Sequence, residues 1–157
     1  MKFGNFDIAR IGLGTNRLRH TPENVAFIRT AVGAGVGMID TAHVYASGES
    51  EATIGEALSA ASPGCLVATK GGHGGAGHGK PAVLGGEIEE SLRRLRTTTI
   101  GLYYLHRVDP ETPIEESIGV IKEFVDRGQI QHVGVSEVDV AQIERARAVV
   151  PIAAVQN

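Results

Sequence analysis

The chain has 157 residues, 42% of them hydrophobic and 21% charged, with a net charge of -3. That is the profile of one globular domain, without the clustered Lys and Arg of a nucleic-acid-binding face. A single cysteine, Cys65, rules out an internal disulfide and fits a reduced, cytoplasmic setting. Residues 1–10 lack the apolar run of a secretory signal, and no apolar stretch approaches the ~20 residues needed to cross a bilayer.

In chain order, Phe3, Phe6 and Ile8 predict a short hairpin ahead of the first main strand, Ile11–Gly14. Thr21 and Pro22 then open a helix. A second apolar run, Gly37–Ile39, ends at Asp40, and a third, Leu66–Ala68, ends at Lys70. Pro81 starts a helix whose stripe is Leu84, Ile88, Leu92 and Leu95. The fourth run, Gly101–Leu105, ends at His106. Thr112, Pro113 and Glu115 predict an N-cap, a first-turn proline and a capping-box glutamate. The helix that follows carries Ile114, Ile118, Ile121 and Val125 and stops at Gly128. The fifth run, His132–Val135, ends at Ser136, and the sixth, Ile152–Val155, at Gln156 and Asn157.

These runs are short, nearly continuous and partly β-branched, as expected of strands buried on both faces of a parallel sheet. Six strands alternating with five helices, with strand ends 21 to 36 residues apart, predict an α/β fold of βαβ units. A closed (βα)8 TIM barrel needs eight such units and typically ~250 residues. The expectation is therefore one domain over residues 1–157, a barrel truncated after its sixth strand.

In such a barrel the active site lies at the C-terminal ends of the strands. A carboxylate, an ammonium and an imidazole stand at three successive strand ends here: Asp40, Lys70 and His106. The plainer reading of the same residues is a structural Asp40–Lys70 salt bridge beside a packed histidine.

The segment Gly37-Met38-Ile39-Asp40-Thr41-Ala42-His43-Val44-Tyr45 resembles the Asp-Thr-Ala-x-x-Tyr motif of aldo-keto reductases. Residues 48–58 look like that family's second helix. Ala68-Thr69-Lys70 is similar to its lysine strand, and Ser91-Leu92-Arg93-Arg94-Leu95 followed by Leu102 to Arg107 to its histidine strand. Gly134 to Glu137 and Val155 to Asn157 match the next two strand ends, in family order and spacing. The resemblance implies NADPH-dependent reduction of a small carbonyl substrate, with Asp40, Tyr45, Lys70 and His106 as catalytic residues. It implies cofactor contacts from Gly14, Thr15, Asp40, Ser136 and Gln156. Chemistry supports these roles. Carbonyl oxygen gains negative charge as hydride arrives. A phenol near pKa 10 can protonate it if a nearby cation stabilises the phenolate. Lys70 would supply that cation, Asp40 would hold Lys70, and His106 would orient the carbonyl oxygen. Ser136 and Gln156 offer a carboxamide both a donor and an acceptor. Glu137 stands where the family often has Asn; it either caps the next helix or faces solvent.

Residues 71–79 hold six glycines and two histidines. Gly72 to Gly77 fits G-x-G-x-x-G, but no helix follows it. Gly74 to Lys80 mimics a phosphate-binding loop, but Pro81 replaces its Ser or Thr. A flexible loop beside the site is a better reading than a metal centre at His73 and His78, and no metal is expected. Glu89, Glu90, Glu115 and Glu116 are read as solvated helix residues. In the family, the groups that grip the cofactor phosphates lie mostly after strands 7 and 8. The chain is therefore expected to need a segment beyond Asn157, or a second chain, to close the barrel and bind NADPH well. Two other functions stay open: a catalytically inactive fragment or subunit, and a Schiff-base lyase with Lys70 as nucleophile.

Overall fold

The computed structural model of the chain describes residues 1–59 and 64–157. The expected hairpin is present. β1 (Lys2–Phe3) pairs antiparallel with β2 (Phe6–Asp7). Phe3 stacks edge-on to His132, ring centres 5.0 Å apart. Phe3 and Phe6 pack with Ile8 against Leu66, Leu102 and Tyr104.

Six strands then pair in parallel and in sequential order. They are β3 (Leu13–Gly14), β4 (Met38–Asp40), β5 (Leu66–Gly71), β6 (Ile100–Leu105), β7 (Ile130–Ser136) and β8 (Ile152–Gln156). Between successive strands run α1 (Pro22–Gly33), α2 (Glu49–Leu58), α3 (Pro81–Arg94), α4 (Ile114–Asp126) and α5 (Val140–Arg147). A 3-10 turn, Tyr45–Gly48, leads into α2. Among the described residues no helix is long and apolar enough to cross a membrane.

The sheet curls. Gln156 Nε2 at the end of β8 donates to Asp40 Oδ2 at the end of β4 over 3.1 Å. In a flat sheet, four strand spacings would hold them about 19 Å apart. The product is a six-strand parallel half-barrel with two kinds of core. On the concave side Leu66, Ala68, Leu102 and Tyr104 meet the hairpin. On the convex side Ile39, Tyr103, Leu105 and Val135 meet the helix stripes, including Val25, Ile28, Leu84, Ile88, Ile118 and Ile121.

Most of the punctuation falls where expected. Thr21 caps α1, its side chain accepting from Asn24 N, with Pro22 in the first turn. Gly128 takes φ +73° after α4. Thr112 is the exception. Its hydroxyl donates to Asp109 Oδ2 (2.8 Å) rather than capping, and Pro113 itself is the N-cap of α4. The buried carboxylate wins because it needs donors more than the helix end needs an acceptor.

α2 crosses the end of α3 at Gly55, where an added Cβ would collide with the backbone of Arg94 and Leu95. Backbone cannot move aside as a side-chain tip can. Gly55→Ala should therefore destabilise the fold by about 1–3 kcal/mol, read as a lower urea midpoint at unchanged m-value.

Candidate functional site

Lys70 is fully buried near the end of β5, pointing into the concave side. Its ammonium donates to Asp40 Oδ1 (2.6 Å), Thr41 O (2.7 Å) and Tyr45 Oη (3.4 Å). Three acceptors match the three donors of an ammonium, which is what makes a buried charge tolerable. Parallel register delivers them: Gly14 pairs with Asp40 and Lys70 with Tyr104. Past β4 the chain stays tied to β5, with Thr41 N bonded to Ala68 O and His43 N to Lys70 O. Tyr45 then sits half-buried over the end of β5.

His106 follows β6, 6% exposed, with its ring 5.9 Å from that of Tyr45 in an edge-on arrangement. Burial first, then the charges of Lys70, His73 and Arg107, push its pKa down to about 3. At neutral pH the imidazole is uncharged and carries one N–H.

The exposed His73 lies on the other side of His106, ring centres 4.7 Å apart. It belongs to the glycine-rich loop, which is tied down more firmly than its composition suggests. Glu87 Oε2 accepts from Gly72 N (2.6 Å). Asp109 Oδ2 accepts from Gly77 N and Gly79 N, and Ser117 Oγ donates to Gly79 O. Gly72, Gly74, Gly75 and Gly77 all take positive φ, so here glycine supplies left-handed backbone. Burial raises the Asp109 pKa, but hydrogen bonds from Glu111 N, Thr112 and the two glycine amides outweigh it and hold the group at about 2.

The residues expected at the cofactor divide into two sets. Ser136 (3% exposed) and Gln156 are register partners on β7 and β8 at the same rim. Ser136 Oγ accepts from Arg107 Nη1 (3.3 Å), leaving its own proton to donate. A hydroxyl beside a primary amide is a donor set that fits a carboxamide ligand. Gly14 is exposed and leads into Thr15, whose hydroxyl is already committed. It donates to Asp40 O and accepts from Ser50 Oγ. Glu137 faces solvent at φ +52°. Asp139 rather than Glu137 caps α5, in a capping box with Gln142. Among the described residues no three His, Cys, Asp or Glu side chains converge on a metal position.

The sequence profile of the Aldo/keto reductase family matches residues 10–157. This chain belongs to that family. It is 35% identical to the aldo-keto reductase YhdN of Bacillus subtilis over 164 residues, 96% of this chain and 50% of that protein. Its fold is similar to a glycerol dehydrogenase from Gluconobacter oxydans, with TM-score 0.86 and 34% identity over 98% of this chain and 53% of that one. It is also similar to an aldo/keto reductase from Klebsiella pneumoniae in complex with NADP and acetate, with TM-score 0.75 and 30% identity over 88% of this chain and 49% of that one. The chain thus spans about half the length of the aldo-keto reductases it matches.

The roles of several residues around this aldo-keto reductase rim escaped the sequence reading. Asp109 carried a signal, since Asp-Pro after a strand end favours an Asx turn; its Oδ1 indeed accepts from Glu111 N. Glu51 carried another: it shares the buried stripe of α2 with Ile54 and Ala57. Arg94 and Asn157 stood in the family-like segments Ser91–Leu95 and Val155–Asn157, but nothing in the sequence pointed to the bonds of Arg94 to the Tyr45 loop or of Asn157 to both backbone groups of Val138.

His106 gives a test of the electrostatics. Its folded pKa, about 3, lies below the ~6.5 of a free histidine. Between these values the native state binds fewer protons than the unfolded chain, so acidification through that window lowers stability. The His106 ring resonances should stay in the neutral form from pH 8 to about 4. Titration near 6.5 would show that the pocket does not exclude a second cation.

Proposed function

We propose that the protein containing this chain is an oxidoreductase that reduces aldehydes or ketones to alcohols with NADPH, on a (βα)8 barrel to which this chain contributes six strands. The observation that carries the reading is the Lys70 ammonium held between the Asp40 carboxylate and the Tyr45 hydroxyl, with an uncharged His106 beside them. Family membership supports it, as do an NADP-bound relative from Klebsiella pneumoniae and a relative that is a glycerol dehydrogenase.

A bound reduced nicotinamide supplies hydride to the carbonyl carbon. Ser136 and Gln156 would hold its carboxamide by donating one hydrogen bond and accepting another. Gly14 and Thr15 lie beside Asp40 on the neighbouring strand and would border the cofactor through backbone. Tyr45 gives its proton to the carbonyl oxygen as the charge develops. The phenolate left behind is stabilised by the Lys70 ammonium and regains a proton from solvent. His106 donates its single N–H to the same oxygen, which fixes the carbonyl and stabilises developing charge without adding a cation. Asp40 holds Lys70 in place. That arrangement argues against a Schiff-base role for Lys70, because a nucleophilic amine must be neutral and this one is fully enclosed by oxygen acceptors. A cytoplasmic location suits a lone reduced cysteine.

In the complete natural protein, Tyr45→Phe should lower kcat for an aldehyde by about 10²–10⁴-fold while NADPH binding, followed by fluorescence, is retained. Lys70→Met should be as severe, and Asp40→Asn milder, since Lys70 keeps its charge. Substantial turnover by folded Tyr45→Phe would sink the assignment of the acid.

A further inference from the structure

The loop that carries Tyr45 is strained. Ala46 (φ 48°, ψ 37°) and Ser47 (φ 57°, ψ 34°) both adopt left-handed backbone without being glycine, and Gly48 follows at φ 91°. Such a run persists only where its surroundings impose it. On the concave side the constraint is Lys70, through its bonds to Thr41 O and Tyr45 Oη.

A second set of bonds acts from the convex side. Arg94, the last residue of α3, donates from Nη1 to His43 O (3.0 Å) and from Nε to Glu90 Oε1 (2.9 Å). Its guanidinium lies directly under Gly48, where any Cβ would collide with it. The same Nη1 faces Glu51 Oε2 at 3.5 Å. Glu51 is fully buried on α2, and its other oxygen accepts from Thr69 Oγ1 (2.6 Å). Thr69 is the residue before Lys70. One buried carboxylate therefore ties the loop of Tyr45, through Arg94, to the strand of Lys70. A fully buried carboxylate with so few partners is costly, and α2 would lose little by an apolar residue there. Its partners are the Thr69 hydroxyl, on the strand of Lys70, and the Arg94 guanidinium, which holds the loop of Tyr45 at His43 O.

We propose that Glu51 and Arg94 are positioning residues that fix the Tyr45 hydroxyl against the Lys70 ammonium from outside the barrel. The proposal rests on the reading of Tyr45 as the proton donor. Neither residue touches substrate or cofactor, so removing either should lower kcat and leave cofactor affinity intact. Reactions of this kind lose about a hundredfold for a misplacement near 1 Å.

The position of Arg94 allows a direct test. Its side chain is 20% exposed and borders an open groove lined by Ser47, Gly48, Glu90 and Arg93. Deleting it leaves a solvent-connected gap shaped for guanidinium. In the complete natural protein, Arg94→Ala should lower kcat by about ten- to a hundredfold with an unchanged NADPH dissociation constant. Guanidinium at sub-denaturing concentration should restore much of the rate, and sodium at equal ionic strength should not. Arg93→Ala, which among the described residues removes side-chain bonds to Glu90 alone, should behave as wild type. Amide exchange at Tyr45 and Ser47, bonded to Ala42 O and Val44 O, should quicken in Arg94→Ala. Arg94→Lys keeps the charge but not the fork, and should show the same kcat defect if the alanine variant folds poorly. A kcat within about twofold of wild type, a loss that follows NADPH affinity, or a loss that guanidinium does not rescue would overturn the proposal. If the wild-type protein reduces no carbonyl, the proposed function fails. Amide exchange at residues 43–48 then still decides whether Arg94 braces the loop.

Discussion

A positive charge without solvent organises this half-barrel. Burying an ammonium is prohibitive unless its donors are satisfied, and Lys70 satisfies all three with the Asp40 carboxylate, the Thr41 carbonyl and the Tyr45 hydroxyl. Each acceptor comes from the end of β4 or the loop just after it, so the charge dictates how that segment leaves the sheet. The same charge reaches His106. Burial pushes the imidazole toward its neutral form, and the charges of Lys70, His73 and Arg107 push it the same way. At the rim the buried ammonium has one carboxylate against it and the uncharged imidazole beside it, while Arg107 adds a second cation at Ser136.

β5 sustains this by using its two faces differently. Alternation points Ala68 and Lys70 to the concave side and Thr69 and Gly71 to the helices. Thr69 meets Glu51. Gly71 has no Cβ because one would collide with the Tyr103 hydroxyl. The strand therefore carries polar chemistry on the inside and its mechanical support on the outside. The glycine-rich loop continues the pattern. Glu87 and Asp109 accept from its backbone amides, so His73 stands on a short anchored span beside His106.

The sequence announced what depends on local order. Strand runs ending in Asp40, Lys70 and His106, first-turn prolines at Pro22 and Pro81, and the stripe Leu84–Ile88–Leu92–Leu95 are all periodic or positional signals, and all appear in the structure. Glycine composition predicted a loop at 71–79 but could not predict its tethers, because these come from Glu87, Asp109 and Ser117 on other elements. Thr112 showed the same limit. A capping motif is a local preference of about 1 kcal/mol, and a buried carboxylate three residues earlier outbid it. Arg94 was illegible because a last-turn arginine is usually a solvated partner for the helix dipole. Only the crossing of α2 over α3 at Gly55 turns it under the Tyr45 loop. The truncated-barrel expectation came from counting units, and the curled six-strand sheet agrees with it as far as the chain extends.

Polarity also runs along the rim in one direction. Asp40 spends Oδ1 on Lys70 and Oδ2 on the Gln156 amide nitrogen. A carboxylate accepts only, so it compels Gln156 to turn its nitrogen inward and leave its carbonyl oxygen for something else. Arg107, likewise a pure donor, takes a lone pair of Ser136 and leaves that hydroxyl's proton to be given away. The two adjacent groups thus present the Gln156 carbonyl oxygen as an acceptor and the Ser136 hydroxyl, which keeps its proton and one lone pair, as a group that can donate. Asp40 therefore serves both ends of the rim, holding the Lys70 ammonium with one oxygen and orienting the Gln156 amide with the other.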